Sequence, residues 1–226
     1  MATATTTGSM DRRPYGLLLA MLGAQLILGA VLPRASWAGW INTLLVIGVL
    51  VAGGWAASEG RRWRLGLLVL ALGTSAALLG ARGVASDALR LAALGLGAGL
   101  LVFVAGAILR DVLRTRDVTP TTLAGASSVY LLLGTAFGVA FLTLESVAPG
   151  SFHEGGAAPV TEGWNAYLSL VTLSTLGYGD VVPVTRTARA LAATEALLGQ
   201  LYLTILVARL VGLQLGGARG ESRAGP

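Results

Sequence analysis

The chain has 226 residues, of which 54% are hydrophobic and only 12% are charged, and it contains no cysteine. Soluble domains carry about 25% charged residues, so this composition excludes a single soluble globule and a highly charged disordered protein. The lack of cysteine excludes a disulfide framework, thiolate chemistry and a cysteine-based zinc site. All 16 basic residues are arginines, and most of them flank apolar runs, which indicates a membrane rather than nucleic acid as the partner of this +5 chain.

Apolar runs long enough to cross a bilayer, which takes about 20 residues, predict six transmembrane helices. In chain order the predicted spans are Gly16 to Leu32, Trp37 to Ala57, Leu65 to Ala81, Leu89 to Leu109, Thr121 to Leu144, and a last helix within Ala188 to Leu215. The predicted fold class is therefore an all-α membrane protein.

The segment between the fifth and sixth spans predicts a re-entrant loop. Thr161 and Glu162 indicate an N-cap and a first-turn acid for a helix over Gly163 to Ser174. That helix would be about 20 Å long, which is too short to cross the membrane. Gly177 and Gly179 then break it, and irregular backbone at membrane depth is tolerated only where protein buries it or where it lines a water-filled path.

The arginine distribution predicts the orientation. Ten arginines fall on the face that carries both termini and five on the opposite face, while Arg209 lies inside the last helix, where we expect its side chain to reach the cytoplasmic interface. The positive-inside rule then places both termini in the cytoplasm and the re-entrant loop outside. Glu145, Glu154, Glu162 and Asp180 would form an acidic mouth there, which raises the local cation concentration.

The residues Thr175-Leu176-Gly177-Tyr178-Gly179-Asp180 resemble the selectivity filter of the potassium-channel family, and the resemblance extends over about Thr121 to Leu215. Consecutive carbonyls can point one way only if right- and left-handed backbone conformations alternate, so we predict left-handed glycines at Gly177 and Gly179. The resemblance implies an ion-binding segment over Thr175 to Gly179. In it, the carbonyls of Thr175, Leu176, Gly177 and Tyr178 and the Thr175 hydroxyl bind K⁺, and the Tyr178 ring braces the loop against the pore helix.

The resemblance also implies supporting residues. Tyr167 occupies the position at which family members commonly have an aromatic residue that hydrogen-bonds the filter aspartate, here Asp180. Gly199 occupies the position of a hinge glycine for gating. Leu176 replaces the more usual valine, and Val171 replaces a glutamate that promotes inactivation in some bacterial members, so inactivation by that route is not expected.

The predicted organisation is a cytoplasmic arm over 1–14, a four-helix bundle over 15–117, a pore domain over 118–215 and a short cytoplasmic tail over 216–226, with no soluble regulatory domain. Arg90 at the outer end is the single arginine within the fourth predicted span, so a voltage sensor, which needs a basic residue at every third position, is not expected. Gly95 and Gly99 in this helix predict tight helix packing.

The last predicted helix contains one carboxyl group and a row of four residues at helical spacing. Glu195 is predicted to hydrogen-bond the pore helix at Thr172 or Ser174 and to support the filter; the alternative is a protonated acid with a purely structural role. Four residues at helical spacing either line the cavity or form packing surface, namely Gln200, Leu203, Val207 and Val211.

The predicted function is a potassium-selective channel that conducts K⁺ passively across the cytoplasmic membrane of a bacterium. Because one filter needs four loops and the chain has one, we expect a homotetramer in contact with membrane lipids, with no nucleic acid partner and no cofactor apart from the permeant K⁺. Two alternatives remain open, a less selective cation channel on the same scaffold and a subunit of a potassium-uptake transporter. An enzyme is not expected, because the sequence offers no nucleophile–base set or metal-ligand cluster.

Overall fold

The computed structural model describes residues 15–31, 44–49, 51–53, 69, 72–73, 87–115, 118–156, 158–161 and 163–223. The elements are α1 (Tyr15–Val31), α2 (Asp87–Arg114), α3 (Pro120–Val147), β1 (Phe152–Glu154), β2 (Ala158–Pro159), α4 (Trp164–Leu173), β3 (Val181–Pro183) and α5 (Arg186–Arg223). Residues 44–49 and 51–53 are also helical.

Three of the described helices are long and apolar enough to cross a membrane: α2, α3, and the part of α5 over Arg186–Leu213. They correspond to the fourth, fifth and sixth predicted spans and extend beyond them by a few residues. The first predicted span corresponds to α1, an apolar helix of 17 residues. The second and third predicted spans lie largely outside the described residues. The chain is thus a mostly helical membrane protein.

One apolar core joins α1, α2 and α3. The buried residues that meet there include Leu18, Leu22, Leu101, Val104, Ile108, Val129 and Leu132. The hydroxyl of Tyr15, at the start of α1, donates to a carboxylate oxygen of Asp111 on α2 over 3.0 Å. This core lies on the side of α3 that faces away from α4, so it supports α3 as a fixed wall for the segment that follows.

Close helix packing occurs at a glycine pair that the sequence analysis did not single out. A Cβ added at Gly134 or Gly138 of α3 would lie 3.3 Å from Leu173 and from the carbonyl oxygen of Asn165, respectively, both on α4. At Gly95 and Gly99 of α2, an added Cβ would meet no described atom within 4 Å. Tight packing at Gly95 and Gly99 stays a prediction, because the second and third predicted spans lie largely outside the described residues. A four-residue glycine spacing permits close approach, but the tertiary arrangement decides which helix uses it.

A small antiparallel sheet with the strand order β2-β1-β3 lies beside the Thr175–Asp180 segment, and the all-α prediction did not include it. In its register, His153 lies opposite Val182 and Glu154 lies opposite Val181. These strands have only two or three residues, which is too short to produce a recognisable alternation in the sequence. The amide of Gly155 donates to the carbonyl of Asp180 over 2.9 Å, so the sheet fixes the end of the Thr175–Asp180 segment.

The N-terminus of α4 also differs from its prediction. The N-cap is Gly163, with φ of 82°, and no side chain caps the helix. The amide and the hydroxyl of Thr161 instead both donate to Glu154, over 2.9 and 2.8 Å. Thr161 is therefore not the N-cap, because the Glu154 carboxylate holds it in the preceding loop. Glu162 lies outside the described residues.

A second carboxylate has a similar role at the end of α3. Glu145 accepts the amide of Gly150 over 2.7 Å and the amide of Phe152 over 3.1 Å. Phe152 in turn packs against Phe141 and Trp164 in a small aromatic cluster, with ring centroids 5.2 and 4.6 Å apart. Two acids of the predicted acidic mouth, Glu145 and Glu154, thus organise the loop that leads into α4.

Candidate functional site

The segment between α4 and β3 alternates between two backbone conformations. Thr175, Gly177 and Gly179 have φ of 58°, 57° and 79°, whereas Leu176 and Tyr178 have negative φ. The predicted left-handed conformation of the two glycines is confirmed. A peptide chain with this alternation presents successive carbonyl groups toward the same side.

Thr175 is a feature that the sequence analysis missed. It is the one non-glycine residue with positive φ among those that the structure describes. For a β-branched residue this conformation costs about 1–3 kcal/mol, and such strain is typical of functional sites. The Thr175 amide donates to the carbonyl of Thr172 over 3.0 Å, which helps to hold the strained residue in place. The signal was present in the sequence, because Thr175 precedes Gly177 by the same two-residue step that separates Gly177 from Gly179.

The amide groups of the segment point back toward α4. Those of Leu176 and Gly177 both donate to the carbonyl of Val171, over 2.9 and 3.3 Å. Within the described part of the chain, no hydrogen bond has a carbonyl of residues 175–179 as its acceptor. All five residues are exposed in the single chain. The segment thus offers a row of free carbonyl oxygens on an exposed surface, which is an arrangement suited to binding a dehydrated cation.

The side chain of Tyr178 is 68% exposed. Its ring therefore receives little of the predicted bracing from α4 of the same chain.

Asp180, directly after the segment, is linked to α4 by the predicted hydrogen bond. The hydroxyl of Tyr167 donates to one carboxylate oxygen of Asp180 over 2.6 Å, and the amide of Val181 donates to the other over 3.0 Å. The bond from Tyr167 lowers the pKa of Asp180 below its usual value, because a hydrogen bond to the carboxylate favours the charged form.

Glu195 of α5 is fully buried and meets α4 at Ser169. Its predicted partners, Thr172 and Ser174, are not the residues that it contacts; the Ser174 hydroxyl donates to the carbonyl of Leu170 over 2.7 Å. Ser169 lies one turn closer to the start of α4, and its hydroxyl is also hydrogen-bonded to the carbonyl of Gly134 over 2.6 Å. Glu195 therefore connects α5 to both α4 and α3.

Gly199 lies one turn after Glu195, where α5 passes closest to the end of α4. A Cβ added to Gly199 would lie 2.6 Å from the carbonyl oxygen of Leu173. Helix α5 is continuous through Gly199, so close approach is a reason for glycine here that is independent of a hinge. The hinge role stays a prediction.

Two tyrosines that the sequence analysis did not single out hold these helices together. The hydroxyl of Tyr130 on α3 donates to the same Leu173 carbonyl over 3.0 Å, and the hydroxyl of Tyr202 on α5 donates to the carbonyl of Ala126 over 2.6 Å. Their rings stack with centroids 5.9 Å apart. The signal in the sequence is a phenol inside an apolar helix, since a buried tyrosine hydroxyl usually needs a partner.

The predicted cavity-lining side chains differ in their contacts. The amide of Gln200 donates to the hydroxyl of Thr175 over 3.4 Å, which brings this part of α5 next to the carbonyl segment. Leu203, Val207 and Val211 are 36%, 56% and 50% exposed in the single chain, so their lining role stays a prediction.

The Arg209 side chain was predicted to reach the cytoplasmic interface. In the structure it also contacts protein. Its guanidinium donates to the carbonyl of Thr115, directly after α2, over 2.8 Å. This bond links the lower part of α5 to the connection between α2 and α3.

A protein-family model described as an ion channel matches residues 160–213 of the chain. The match begins just before α4 and ends within α5; it covers about a quarter of the chain and does not include α3. No curated protein and no solved structure gives a significant match. The matched residues contain the carbonyl segment and its contacts with α4 and α5, and together they support an ion-channel pore family and passive ion conduction as the activity of this membrane protein.

Proposed function

We propose that the chain is one subunit of a homotetrameric, potassium-selective channel of the cytoplasmic membrane. The observation that carries the proposal is the alternating backbone of the segment Thr175 to Gly179, whose amides turn toward α4 and whose carbonyls are free. Rings of backbone carbonyls replace the hydration shell of K⁺ in the filters of potassium channels. In this proposal α3 is the outer helix, α4 the pore helix and α5 the inner helix.

Each predicted site residue has a role in the proposal. The carbonyls of Thr175, Leu176, Gly177 and Tyr178 and the Thr175 hydroxyl bind successive K⁺ ions, and Gly179 completes the filter at its outer end. The residues proposed to support the filter are Asp180, Tyr167 and Glu195, with Gly199 as the gating hinge. Those proposed to line the cavity are Gln200, Leu203, Val207 and Val211.

The tetramer is supported by what the single chain leaves uncovered. The filter residues are exposed, and only 6% of the apolar window of α5 is buried within the chain. Free carbonyls at membrane depth cannot face lipid, because each unsatisfied group there costs several kcal/mol. Four copies around one axis would instead turn the carbonyls toward permeant ions and cover Tyr178 and parts of α5.

The proposed orientation places both termini in the cytoplasm and the sheet β2-β1-β3 outside. The arginine asymmetry of ten against five supports it. On the outside, Asp180 lies at the entrance of the filter with its carboxylate held ionised by Tyr167. An ionised carboxylate at that position would attract cations to the entrance.

The test is the reversal potential of the purified full-length protein in planar bilayers under opposing K⁺ and Na⁺ gradients. A potassium-selective channel gives a reversal potential close to the K⁺ equilibrium value. Equal permeability to K⁺ and Na⁺ would replace the proposal with the less selective cation channel. Cross-linking is performed on the same sample, and a monomer would favour the potassium-uptake transporter subunit.

A matched pair of variants connects the current to the filter. Gly177→Ala and Gly150→Ala each place alanine at a positive φ, 57° and 83°, where the added Cβ meets nothing within 4 Å. Both changes therefore introduce similar local strain, but only Gly177 lies in the filter. We expect Gly177→Ala to abolish selectivity or conduction and Gly150→Ala to leave both close to wild type. Equal behaviour of the two variants would separate the current from the carbonyl segment.

A further inference from the structure

Glu195 is a buried carboxyl group that has no cation beside it among the residues that the structure describes. Its side chain is fully buried in the middle of the apolar span of α5. One of its oxygens, Oε2, is buried without a hydrogen-bond partner among the described residues. A buried carboxylate normally needs a cation or several donors, because the loss of hydration is not otherwise repaid.

The elements packed against Glu195 provide no such cation. The titratable residues on α3 and α4, and the nearest ones along α5, are Tyr130, Glu145, Tyr167, Arg186, Arg189 and Tyr202. Among them, Tyr130 is close enough to interact electrostatically with Glu195, and its hydroxyl is bonded to the carbonyl of Leu173. Tyr167 is bonded to Asp180, and the guanidinium of Arg189 donates to the carbonyl of Pro183.

The hydrogen-bond contacts of Ser169 show how many protons this group of side chains must hold. The Ser169 Oγ is within hydrogen-bonding distance of two acceptors, the carbonyl of Gly134 at 2.6 Å and the Oε1 of Glu195. Two oxygens at such a separation need a proton between them. A serine hydroxyl has only one proton to donate, and the Gly134 carbonyl has none. The two contacts therefore need a second proton, and Glu195 is the only group of the three that can hold it.

We propose that Glu195 holds a proton at neutral pH and is a positioning residue for the filter. Its carboxyl O–H donates to Ser169, and the Ser169 hydroxyl donates to Gly134, so that one chain of hydrogen bonds fixes the inner, pore and outer helices. In the neutral acid, Oε2 is a carbonyl oxygen, which costs less than a carboxylate oxygen when it lacks a partner.

The position of this chain of bonds explains how it acts on the filter. One turn earlier on α4, the side-chain amide of Asn165 donates to the carbonyl of Gly138 on α3 over 3.1 Å. The pore helix is thus bonded to the outer helix at two successive turns, and Glu195 secures the turn nearer to the filter. If Glu195 lost its proton, the Ser169 hydroxyl would donate to the carboxylate instead of to Gly134. The Ser169 oxygen and the Gly134 carbonyl oxygen would then face each other without a proton between them. The effect on the filter rests on the proposed function, whereas the protonation state does not.

Infrared spectroscopy of the full-length protein in liposomes tests the proton directly. A neutral carboxylic acid has a C=O stretching band that a carboxylate lacks. We expect this band at neutral pH in the wild type, and its loss in Glu195→Gln, whose amide can still donate to Ser169. In Ser169→Ala, which removes the acceptor, the band should move to higher frequency. A wild-type spectrum identical to that of Glu195→Gln in this region, or a band that Ser169→Ala does not move, would overturn the proposal whether or not the protein conducts.

Conduction at increasing pH tests the positioning role. Once pH exceeds the midpoint of the infrared titration, the neutral fraction falls about tenfold per pH unit, and we expect K⁺ current to fall at least in proportion. Glu195→Gln should conduct with unchanged selectivity and without the alkaline fall. The same alkaline fall in Glu195→Gln, or no fall in the wild type beyond the infrared midpoint, would overturn the positioning role. If neither protein conducts K⁺ at any pH, the proposed function is wrong while the infrared result stands.

Discussion

Helices α3 and α5 are equally apolar in their most apolar parts but have different surroundings. Each has a 28-residue stretch that could cross a membrane, and the mean hydropathy of the most apolar window is the same in both. In α3, 39% of the apolar window is buried within the chain, and in α5 only 6% is. The difference arises because α1, α2 and α4 all pack on α3, whereas α5 contacts its own chain along one narrow side. Equal hydropathy therefore does not indicate an equal role.

The exposed surface of α5 meets the exposed Thr175–Gly179 segment at Gln200, whose side chain bonds the Thr175 hydroxyl, and this limits what can cover both. Lipid could cover the apolar side chains of α5, but it could not satisfy the free carbonyls of Thr175 to Gly179. The contact of α5 with its own chain includes Glu195, Gly199 and Tyr202, with Arg209 near its other end. Helix α3 is thus held largely by its own chain, whereas α5 would be completed by other copies in the proposed tetramer.

The largest expected effect comes from tryptophan substitutions on the two kinds of exposed surface. Leu197 and Ile205 of α5 are 61% and 59% exposed, and Val102 of α2 and Leu123 of α3 are 55% and 44% exposed. Lipid accommodates a larger side chain, but a packed interface does not, at about 1–3 kcal/mol per site and four sites per tetramer. We expect tryptophan at Leu197 or Ile205 to abolish the tetramer in native mass spectrometry.

Tryptophan at Val102 or Leu123 is the control and should leave the tetramer intact. If all four variants assemble equally well, the proposed difference between α3 and α5 is wrong, because the exposed surface of α5 would then tolerate tryptophan as well as the exposed surfaces of α2 and α3.

A smaller effect is expected from two glycines of the same helix. Gly199→Ala places a methyl group 2.6 Å from the Leu173 carbonyl oxygen, while Gly212→Ala meets nothing within 4 Å. We expect Gly199→Ala to lower the free energy of unfolding by about 1–3 kcal/mol through overpacking. Gly212→Ala should raise it by about 0.5–1 kcal/mol, because alanine favours the helix. Thermal unfolding of the reconstituted protein measures both, and a Gly199→Ala protein as stable as Gly212→Ala would mean that α5 does not need this close approach.

The smallest expected effect concerns Asp180, at the entrance of the proposed filter between α4 and α5. The Tyr167 hydrogen bond lowers the pKa of Asp180, so the carboxylate contributes to stability above its unfolded pKa and loses that contribution as the pH falls through the lower, folded value. In Tyr167→Phe the pKa of Asp180 rises toward its ordinary value. External acid should then reduce K⁺ current at a higher pH than in the wild type, measured as a titration of current against external pH. A shift in the opposite direction, or an unchanged titration in Tyr167→Phe, would show that this bond does not set the ionisation of Asp180.

The sequence predicted well those features that depend on local properties. Helices α2, α3 and α5 follow from the length of their apolar runs, and the short helix α4 follows from its run being half of a span. The positive φ of Gly177 and Gly179 follows from the needs of a carbonyl row. The same two-residue spacing, continued from Gly177 toward the N-terminus, would also have predicted a positive φ at Thr175.

The sequence predicted poorly those features that depend on which surfaces meet. Thr161 has a typical N-cap sequence, but the Glu154 carboxylate takes both of its donors and Gly163 becomes the cap. Gly134 and Gly138 were not singled out, yet within the described residues they are a pair with packing spacing that another helix approaches. More than one residue could have capped α4, and more than one glycine pair has packing spacing, so the sequence alone does not choose between them.

By itself, therefore, the sequence determined that this protein belongs in a membrane, that a short helix ends in the Thr175–Gly179 segment, and that Glu195 is an acid within an apolar helix. These are consequences of hydropathy, helix length and glycine conformation, all of which act within a few residues. Only the tertiary structure decided that Glu195 meets Ser169, that Gly199 contacts the end of α4, and that α5 remains largely uncovered. Those contacts join residues far apart in the chain, and their energies depend on how three helices cross.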